Sequence, residues 1–325
     1  MLPIQHLRSF EHLKLLADPR RLAILRQLLA GPASLTVLGK ALGEHPAWVR
    51  HHLKRLEAAG LVELVETRIQ SGVVEKFYQS RASGFLVQEL ILPENPDRPV
   101  IIFSGSHDLA VELLANQLSS HLDVLMAPVG SLDGLVTLRQ NLCDLSGTHL
   151  LDPSGEYNLP FIHHFFPDRA MQVITLAHRE QGLLTMGGNP KAIRSLEDLG
   201  RGDVTFINRN PGSGTRIWLD HQLRTQGIPT ESILGYETTV STHTECAKLV
   251  QTGKADVALG LRASARQFGL DFLPLFQERY DIVFAQEQNT PLSPLLDTIQ
   301  TSAFRRGIES LTGYETMHTG EQILL

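Results

Sequence analysis

"NRNPGSGTRIWLD", residues 208–220, sets a short glycine-rich segment between a hydrophobic run and a run of helix-forming residues. The run before it, residues 203–207, contains β-branched and aromatic residues that favour a strand. The run after it, residues 215–226, is followed by Gly227 and Pro229, where helices usually end. The stretch therefore predicts a strand, a tight loop and the start of a helix.

The loop in this stretch also predicts a binding site for an oxyanion. The first backbone N–H groups of a helix have no partner within the helix and carry the positive end of its dipole. Ser213, Thr215 and Arg209 add donors around the same point, and such an arrangement can surround an anion. The commoner alternative for a single Ser-Gly-Thr is that Ser213 only caps the helix while the glycines make the turn.

The composition is that of a soluble globular protein with more than one domain. The 325 residues are 42% hydrophobic and 20% charged, which predicts two domains with sizeable cores. No apolar run approaches the ~18 residues of a membrane span, and the signal-peptide pattern is missing, so we expect a cytoplasmic protein without a membrane partner. Cys143 and Cys246 lie far apart and outside any zinc-binding spacing, so we expect neither disulfides nor a metal or cofactor.

Positive charge is concentrated at the front of the chain. Residues 1–80 contain 11 Lys and Arg against 7 Asp and Glu, whereas the remainder contains 18 against 28. Local rather than net charge governs binding to nucleic acids. The overall charge of −6 is therefore compatible with a DNA partner.

The basic front of the chain predicts a helix-turn-helix. Apolar residues recur at helical spacing in residues 15–29 and 34–42, and Gly43 opens a turn before Pro46 starts a third helix. The apolar positions of that third helix face a core, and its opposite face is basic, which is typical of a helix that reads DNA. A merely solvated face is the alternative. The residues that we expect to contact DNA lie on this helix or on the hairpin after it: Ala47, Trp48, Arg50, His51, Lys54, Arg55 and Arg68.

Residues 61–67 and 73–78 alternate as two strands around a Gln-Ser-Gly turn and predict a wing. The phrases "LADPRRLAILRQLL", "HHLKRLEAAGLVELVE" and "GVVEKFY" resemble the winged helix-turn-helix of ArsR-type transcriptional regulators. The resemblance implies a DNA-binding domain over residues 1–82, operator DNA as the partner and a homodimer. Trp48 replaces the small residue usual in such families, and the cysteine pair of the metal-sensing members is missing, so metal sensing is not expected. We expect His52 to be a structural residue.

A second, α/β domain is predicted after a stiff linker. Three prolines in seven residues favour a linker over residues 83–98. Beyond it strand and helix patterns alternate, beginning with a strand at 100–103 and a helix from 108, which predicts a parallel sheet over residues 99–325. Ser or Thr follows the presumed strands at four places, and ligands of open α/β sheets bind at such carboxyl ends. Since Ser and Thr are also ordinary helix caps, each place alone is weak evidence.

Four further phrases carry a second resemblance: "SGTHLLDPSGEYNLPFI", "HREQGLL", "NRNPGSGTRIWLDHQL" and "GKADVALGLRASARQFGLDFLPL". They resemble a type II periplasmic-binding-protein-like domain, in the cytoplasmic branch that accompanies molybdate and tungstate regulators and molybdopterin-biosynthesis proteins. The resemblance implies two lobes, with the chain crossing near residues 179–185 and returning near 259–261. It implies an oxyanion effector, molybdate or tungstate, held by residues of both lobes: Ser104, Ser106, Ser131, Arg179, Arg209, Ser213, Gly214, Thr215, Thr242 and His243.

Two roles are open for Arg209, which either touches the anion or pairs with a nearby acid. His149 and His178 are additional candidates near the presumed cleft. The signatures GxxxxGK[ST], HExxH and GxSxG are missing from the sequence, so we do not expect an enzyme.

The sequence thus predicts a one-component transcriptional regulator with an N-terminal winged helix-turn-helix and a two-lobed α/β, periplasmic-binding-protein-like (type II) domain. The alternative is an anion-handling module, or an enzyme related to molybdenum-cofactor biosynthesis, without gene-specific DNA binding.

Overall fold

The chain folds into two compact units, residues 1–94 and 95–325. The computed structural model describes residues 4–7, 9–70, 73–87, 91, 98–289 and 291–325. The division between the units lies inside the segment that the sequence predicts as a linker. No helix among these described residues is both long and apolar enough to cross a membrane.

The first unit packs helices against a small antiparallel sheet. Its helices are α1 (Phe10–Leu16), α2 (Pro19–Ala30), α3 (Leu35–Leu42) and α4 (Pro46–Ala58). Its strands are β1 (Ile4–Leu7), β2 (Ala33–Ser34), β3 (Val62–Gln70), β4 (Val73–Ser80) and β5 (Gly84–Val87). The sheet has the order β2-β4-β3, and β1 pairs with β5 in parallel.

The turn between α3 and α4 forms as the sequence predicts. Ser34 caps α3 by accepting a hydrogen bond from the Val37 N–H (3.3 Å). The helix ends at Gly43, which adopts the left-handed conformation (φ 69°) that glycine tolerates best. Pro46 then begins α4, where its missing N–H costs no helical hydrogen bond. The predicted helix-turn-helix is therefore confirmed.

The wing is a hairpin of β3 and β4. The two strands pair antiparallel from Val62 opposite Ser80 to Gln70 opposite Val73, with a register shift between Leu64 and Glu66. Of the turn predicted at residues 70–72, Gln70 is the last residue of β3, and residues 71–72 lie outside the described residues.

The second unit is built on a ten-stranded mixed sheet that runs through two lobes. Its strands are β6 (Val100–Gly105), β7 (Asp123–Ala127), β8 (Leu145–Thr148), β9 (Met171–Thr185), β10 (Phe206–Arg209), β11 (Thr239–Val240), β12 (Val257–Leu261), β13 (Asp271–Ala285), β14 (Tyr314–Glu315) and β15 (Gln322–Leu324). Its α-helices are α5 (Leu109–Leu118), α6 (Ser131–Arg139), α7 (Leu159–Phe165), α8 (Gly214–Gln226), α9 (His243–Gln251), α10 (Arg262–Gln267), α11 (Ser293–Gln300) and α12 (Ser302–Glu309).

Each lobe has its own parallel strands and its own core. In lobe one β7, β6 and β8 are parallel, and in lobe two β11, β10 and β12 are parallel. Phe103 and Phe284 are buried in the core of lobe one, and Phe206 and Leu219 in that of lobe two. Each such side chain contributes ~1.5–3 kcal/mol when fully buried.

Two long antiparallel strands join the lobes. β9 and β13 pair along their whole lengths, from Asp271 opposite Thr185 to Ala285 opposite Met171. β9 also pairs with β12 in lobe two, and β13 with β8 in lobe one. Two predictions are corrected here. The sheet is mixed rather than wholly parallel, and the chain returns through β13 rather than near residues 259–261: β12 ends with Leu261 opposite Gln181, and after α10 the chain starts β13 at Asp271, opposite Thr185.

Candidate functional site

Helices from both lobes begin at the contact between them. α5 and α6 belong to lobe one, and α8 and α9 to lobe two. The loops before these helices touch: the Leu132 N–H donates to the Gly212 carbonyl (3.0 Å), and the Asn210 side-chain amide donates to the Val129 carbonyl (2.7 Å). The described second unit is therefore closed, with helix N-termini from opposite lobes facing a common region.

Polar side chains are buried in this region, and we call them the interlobe cluster: Ser106, Asp108, His149, Arg179, Arg209, His243 and Glu278. Each is at most 2% exposed. Burying charged and polar groups costs free energy unless they are paired. The hydrogen-bond partners of each member therefore show which donors and acceptors are left without a partner.

Arg209, at the end of β10, has the least complete pairing. It is 1% exposed, and its Nη2 donates to the Ser241 carbonyl (2.8 Å). Its Nε and Nη1 have no hydrogen-bond partner, and no carboxylate forms an ion pair with it among the described residues. Burial lowers the pKa of Arg209, yet a guanidinium stays charged in proteins. Of the two roles open for Arg209, pairing with an acid is therefore not observed.

Arg179 on β9 is held by two carboxylates. Its Nε donates to Glu278 Oε1 (2.7 Å) and its Nη1 to Asp108 Oδ2. Asp108 also caps α5 through the Ala110 N–H (2.7 Å) and accepts from the Tyr314 hydroxyl (2.6 Å). These bonds fix Arg179 at the junction of the lobes, while its Nη2 remains without a partner.

A line of hydrogen bonds runs from lobe one to α8. Ser106 Oγ lies 2.8 Å from His149 Nε2, and His149 Nδ1 lies 2.7 Å from Glu278 Oε2. The Gln181 side-chain amide donates to Glu278 Oε1 (2.6 Å) and to Thr215 Oγ1 (3.0 Å). Burial favours neutral Glu278, but the charge of Arg179 and the bonds from His149 and Gln181 hold its pKa at about 2. The Glu278 carboxylate is therefore ionised.

His243, the first residue of α9, is fully buried with neither ring nitrogen hydrogen-bonded. Burial lowers its pKa well below the usual value, and the charges of Arg209 and Arg179 lower it further, so the ring is neutral. Its centroid lies 6.5 Å from that of His107 in lobe one. His243 thus adds a polar ring without a partner beside Arg209.

The other predicted ligand residues divide into two groups. Ser213 caps α8 by accepting from the Arg216 N–H (3.2 Å), and Ser131 Oγ accepts from the His149 N–H (3.2 Å), so both hydroxyl protons are still available. An ideal Cβ on Gly214 would lie 2.6 Å from His149 Nδ1, so the start of α8 packs directly on the cluster. Thr242, in contrast, is occupied by a capping box with Glu245.

Ser104 does not join the contacts of the interlobe cluster. It pairs in register with Ser146 on β8, whose Oγ lies 2.5 Å from an ideal Cβ on Gly134 of α6. Neighbouring residues in register share a face of the sheet, so Ser104 lies beneath α6. Its hydroxyl has no hydrogen-bond partner.

The sequence did not predict the acidic half of the cluster. Asp108 and Glu278 lie 71 and 99 residues from Arg179 along the chain. The sequence contained one local signal for Glu278. It lies in β13 at every-second-residue spacing from Tyr280 and Ile282, and all three are buried. A carboxylate in such a stripe is rare unless it is paired. His178, a candidate in the sequence, is half-buried and contacts the His318 ring at 5.3 Å.

The arrangement suits an anion. Arg179 is compensated by two carboxylates, whereas no carboxylate of the described residues compensates Arg209. The unpartnered donors of the two guanidiniums are buried at the starts of the helices, where the dipoles favour negative charge. A cavity of about 500 Å³ has His149, Gly214 and Glu278 in its wall beside the stacked rings of Trp218 and Phe276 (3.8 Å), but neither guanidinium lines it.

The candidate DNA-contacting surface is the exposed face of α4. Ala47, Arg50, His51, Lys54 and Arg55 are exposed, as the helical period predicts. Trp48 is half-buried against the core. His52 is buried, and its ring lies 4.5 Å from that of Trp48 at a tilt of 59°, as we expect of a structural residue.

Two of the residues that we expect to contact DNA are paired with acids in the DNA-free unit, and we expect both to contact phosphates. Arg68 on the wing makes a two-pronged ion pair with Glu66 (2.7 Å for both bonds) and lies 4.3 Å above the Phe77 ring. Lys54 pairs with Glu57 at 2.6 Å. These acids compete with phosphates for the same cations.

Releasing Arg68 should strengthen DNA binding. We expect Glu66→Gln to raise affinity for any duplex a few-fold, and to steepen its dependence on salt by about one unit, because one more cation is free to displace a counterion. Glu63→Gln is the matched control, since Glu63 lies on the same strand and pairs with Arg81 at 3.3 Å. Fluorescence anisotropy at several salt concentrations measures both. Equal gains in the two variants would show that only net charge matters.

Comparison with known proteins agrees with this architecture. A model of the PBP superfamily domain matches residues 111–300, and a model of a helix-turn-helix domain matches residues 16–65. The chain belongs to the PBP superfamily. Its N-terminal unit is a helix-turn-helix domain, which indicates a DNA-binding regulator, and its second unit is a two-lobed ligand-binding fold.

Relatives and solved structures extend the match. The chain is 34% identical to the uncharacterized protein YvgK of Bacillus subtilis over 233 residues, covering 70% of this chain and 75% of the relative. It is 37% identical over 108 residues to an uncharacterized protein in the ferredoxin 2Fe-2S gene 5′ region of Clostridium pasteurianum, covering 32% of this chain and 96% of the relative. A putative phosphate ABC transporter substrate-binding protein of Clostridium perfringens, with bound phosphate, superposes with a TM-score of 0.50 and 13% identity over 66% of this chain and 99% of its own. This last likeness shows the fold.

Proposed function

We propose that the protein is a cytoplasmic one-component transcriptional regulator, homodimeric and of the ArsR-like winged-helix kind. Its first unit binds operator DNA, and its second unit senses a small oxyanion, with molybdate or tungstate favoured by the resemblance in sequence. The observation that carries the proposal is Arg209, a buried guanidinium without a carboxylate partner that leaves two donor nitrogens unused where helices of both lobes begin.

An unpaired buried charge needs an explanation. Buried polar groups nearly always have partners, and an isolated buried ion is costly. A bound anion would supply the acceptors that Arg209 and Arg179 lack, and its charge would compensate Arg209. Because the donors come from both lobes, an anion would also favour the closed arrangement over an open one.

The ligand test is a thermal-shift screen of purified protein with molybdate, tungstate, sulfate, phosphate and small organic anions. A ligand that binds only the folded state raises the melting temperature in a concentration-dependent way. We expect at least one tetrahedral oxyanion to do so. If none shifts the melting curve, the ligand part of the proposal is wrong.

The start of α8 should contribute directly to affinity. Replacing Thr215 by valine keeps the shape but removes the hydroxyl that can donate to the anion, and a hydrogen bond to a charged group is worth ~1.5–3 kcal/mol. We expect the oxyanion Kd to rise about tenfold or more, as we do for Ser213→Ala, which removes the cap as well.

A threonine on the same helix provides the control for Thr215. The Thr225 hydroxyl donates to the His221 carbonyl (2.9 Å) near the other end of α8. Thr225→Val should leave the Kd unchanged. Isothermal titration calorimetry measures all three variants. Unaltered binding in Thr215→Val and Ser213→Ala would mean that this loop is only a turn and a cap.

A further inference from the structure

The direction of each proton along Ser106, His149 and Glu278 follows from the charge of Glu278. An ionised carboxylate only accepts hydrogen bonds, so His149 Nδ1, at 2.7 Å from Glu278 Oε2, must carry a proton. A neutral imidazole has one N–H, and Nε2 of neutral His149 is therefore an acceptor. Its neighbour at 2.8 Å, the Ser106 hydroxyl, must donate to it.

Ser106 consequently has no free proton. Its hydroxyl proton is directed at His149, and its backbone N–H donates to the Gly147 carbonyl (2.9 Å). Its own carbonyl accepts from the Tyr280 hydroxyl (2.5 Å). Ser106 Oγ can therefore act towards a ligand only as a hydrogen-bond acceptor.

We place the proposed anion beside Ser106, a buried member of the interlobe cluster. It precedes His107, whose ring is 6.5 Å from that of His243 in lobe two, and it belongs to the loop that leads into α5. An oxyanion without a proton, such as molybdate, tungstate or sulfate, presents only lone pairs and is repelled by those of Ser106. Monohydrogen phosphate carries one O–H, which can donate to Ser106 Oγ.

Protonation of His149 would reverse the arrangement. An imidazolium donates from both nitrogens, so Nε2 would donate to Ser106 Oγ and free its hydroxyl proton for the anion. The groups that face His149 are Glu278 and Tyr280 on β13, Arg179 on β9, Arg209 on β10, and uncharged Ser106, Ser131 and Gly214. Burial lowers the pKa of His149 in the ligand-free protein, Glu278 opposes this shift and the arginines add to it. A dianion at the site would raise it.

We infer that Ser106 and His149 distinguish anions that carry a proton from anions that do not. This inference rests on the proposed oxyanion ligand. Fully deprotonated oxyanions bind with uptake of one proton by His149, whereas monohydrogen phosphate, which supplies its own proton, binds without uptake. Ser106 is thus the residue that discriminates between these two classes of tetrahedral anion.

The test is calorimetry of the full chain with molybdate and with phosphate at pH 8, each in two buffers of different ionisation enthalpy. The difference between buffers gives the number of protons taken up. We expect about one proton per molybdate and close to none per phosphate. Because binding linked to one proton weakens as pH rises, the molybdate Kd should increase by up to tenfold per pH unit above neutrality.

Variants show which residue takes up the proton when molybdate binds. His149→Gln has an amide in place of the titrating nitrogen, and Ser106→Ala lacks the hydroxyl, so both should abolish the uptake with molybdate and flatten its pH dependence. His243→Gln tests the rival acceptor and should retain the uptake. His163→Gln, on the exposed face of α7, is the control for removal of a histidine.

The outcomes separate the two proposals. Molybdate binding without uptake, or uptake that is lost in His243→Gln but retained in His149→Gln, would overturn the role of His149 and leave the oxyanion site intact. Binding of none of the oxyanions by the wild type would overturn both. Circular dichroism shows that each variant is folded before it is titrated.

Discussion

Replacing Arg209 by methionine should weaken oxyanion binding by about 100-fold or more. The substitution keeps much of the side-chain bulk but removes a buried charge of the interlobe cluster that has no carboxylate partner in the described part of the chain. Loss of one member of a desolvated charge pair costs 2–5 kcal/mol or more, and each 1.4 kcal/mol is a tenfold change in Kd. Calorimetry with the anion found by the thermal-shift screen measures the change.

The same substitution should not destabilise the ligand-free protein. Arg209 is buried with two donors unpaired, so its removal ends a desolvation penalty that only its hydrogen bond to the Ser241 carbonyl offsets. We expect the melting temperature of ligand-free Arg209→Met to equal or exceed that of the wild type. Arg179→Met should do the opposite, since it leaves Asp108 and Glu278 buried without their cation, a change that costs 3–5 kcal/mol in other proteins.

A surface arginine controls for general effects of removing charge. Arg201 is paired with Asp203 and Asp198 at the surface of lobe two, and Arg201→Met should leave the anion Kd unchanged. If Arg209→Met binds anion as the wild type does, Arg209 has no part in the site.

Replacing Arg50 by alanine should relax discrimination between operator and unrelated DNA by ~1–3 kcal/mol, about five- to 150-fold. Arg50 is exposed near the start of α4 and has no ion-pair partner within the described first unit, unlike Lys54 and Arg68. Arg55 of the same helix also lacks an ion pair in the described first unit, but it lies in the last turn, whereas the first turns of a recognition helix contact the base edges that carry sequence information. Electrophoretic mobility shifts with a promoter fragment and with scrambled duplex measure the ratio of affinities.

Arg26 provides the matched control, because it is an exposed arginine on α2 of the same unit. Arg26→Ala removes the same charge and should change the ratio little. In the proposed homodimer the two α4 helices enter successive major grooves, so the operator half-sites should be inverted repeats with centres ~34–36 Å apart, or a multiple of that spacing. A ratio of affinities that is unaltered in Arg50→Ala would assign base recognition to other residues.

Local chemistry made much of the fold predictable. Gly43 and Pro46 frame the turn before α4, and Ser213 marks the start of α8, because caps and turns depend on a few adjacent residues. The two interpretations of Ser213, as a helix cap and as part of an anion-binding loop, are compatible with each other. The residue caps the helix, and its loop lies at the interlobe cluster.

The pairing of strands that lie far apart along the chain could not be predicted from the sequence. The pairing of β9 with β13 joins residues up to about 114 positions apart along the chain, and nothing in either strand alone specifies its partner or the bulges between them. The carboxylates that hold Arg179 come from two such distant segments. The sequence therefore proposed Arg179, Arg209 and the hydroxyls at the helix starts as candidate donors, and missed the two acids that hold Arg179.

In the proposed regulator one chain couples an oxyanion site to DNA recognition. The affinity of the full chain for its own promoter fragment and for random duplex, with and without saturating oxyanion, tests this coupling. We expect the promoter to be preferred, and the anion to change promoter affinity by about five- to 150-fold, the usual range of coupling between two sites. Arg209→Met should abolish that change. Equal affinity for both duplexes, or a promoter affinity that saturating anion does not alter, would show that the protein is not such a regulator.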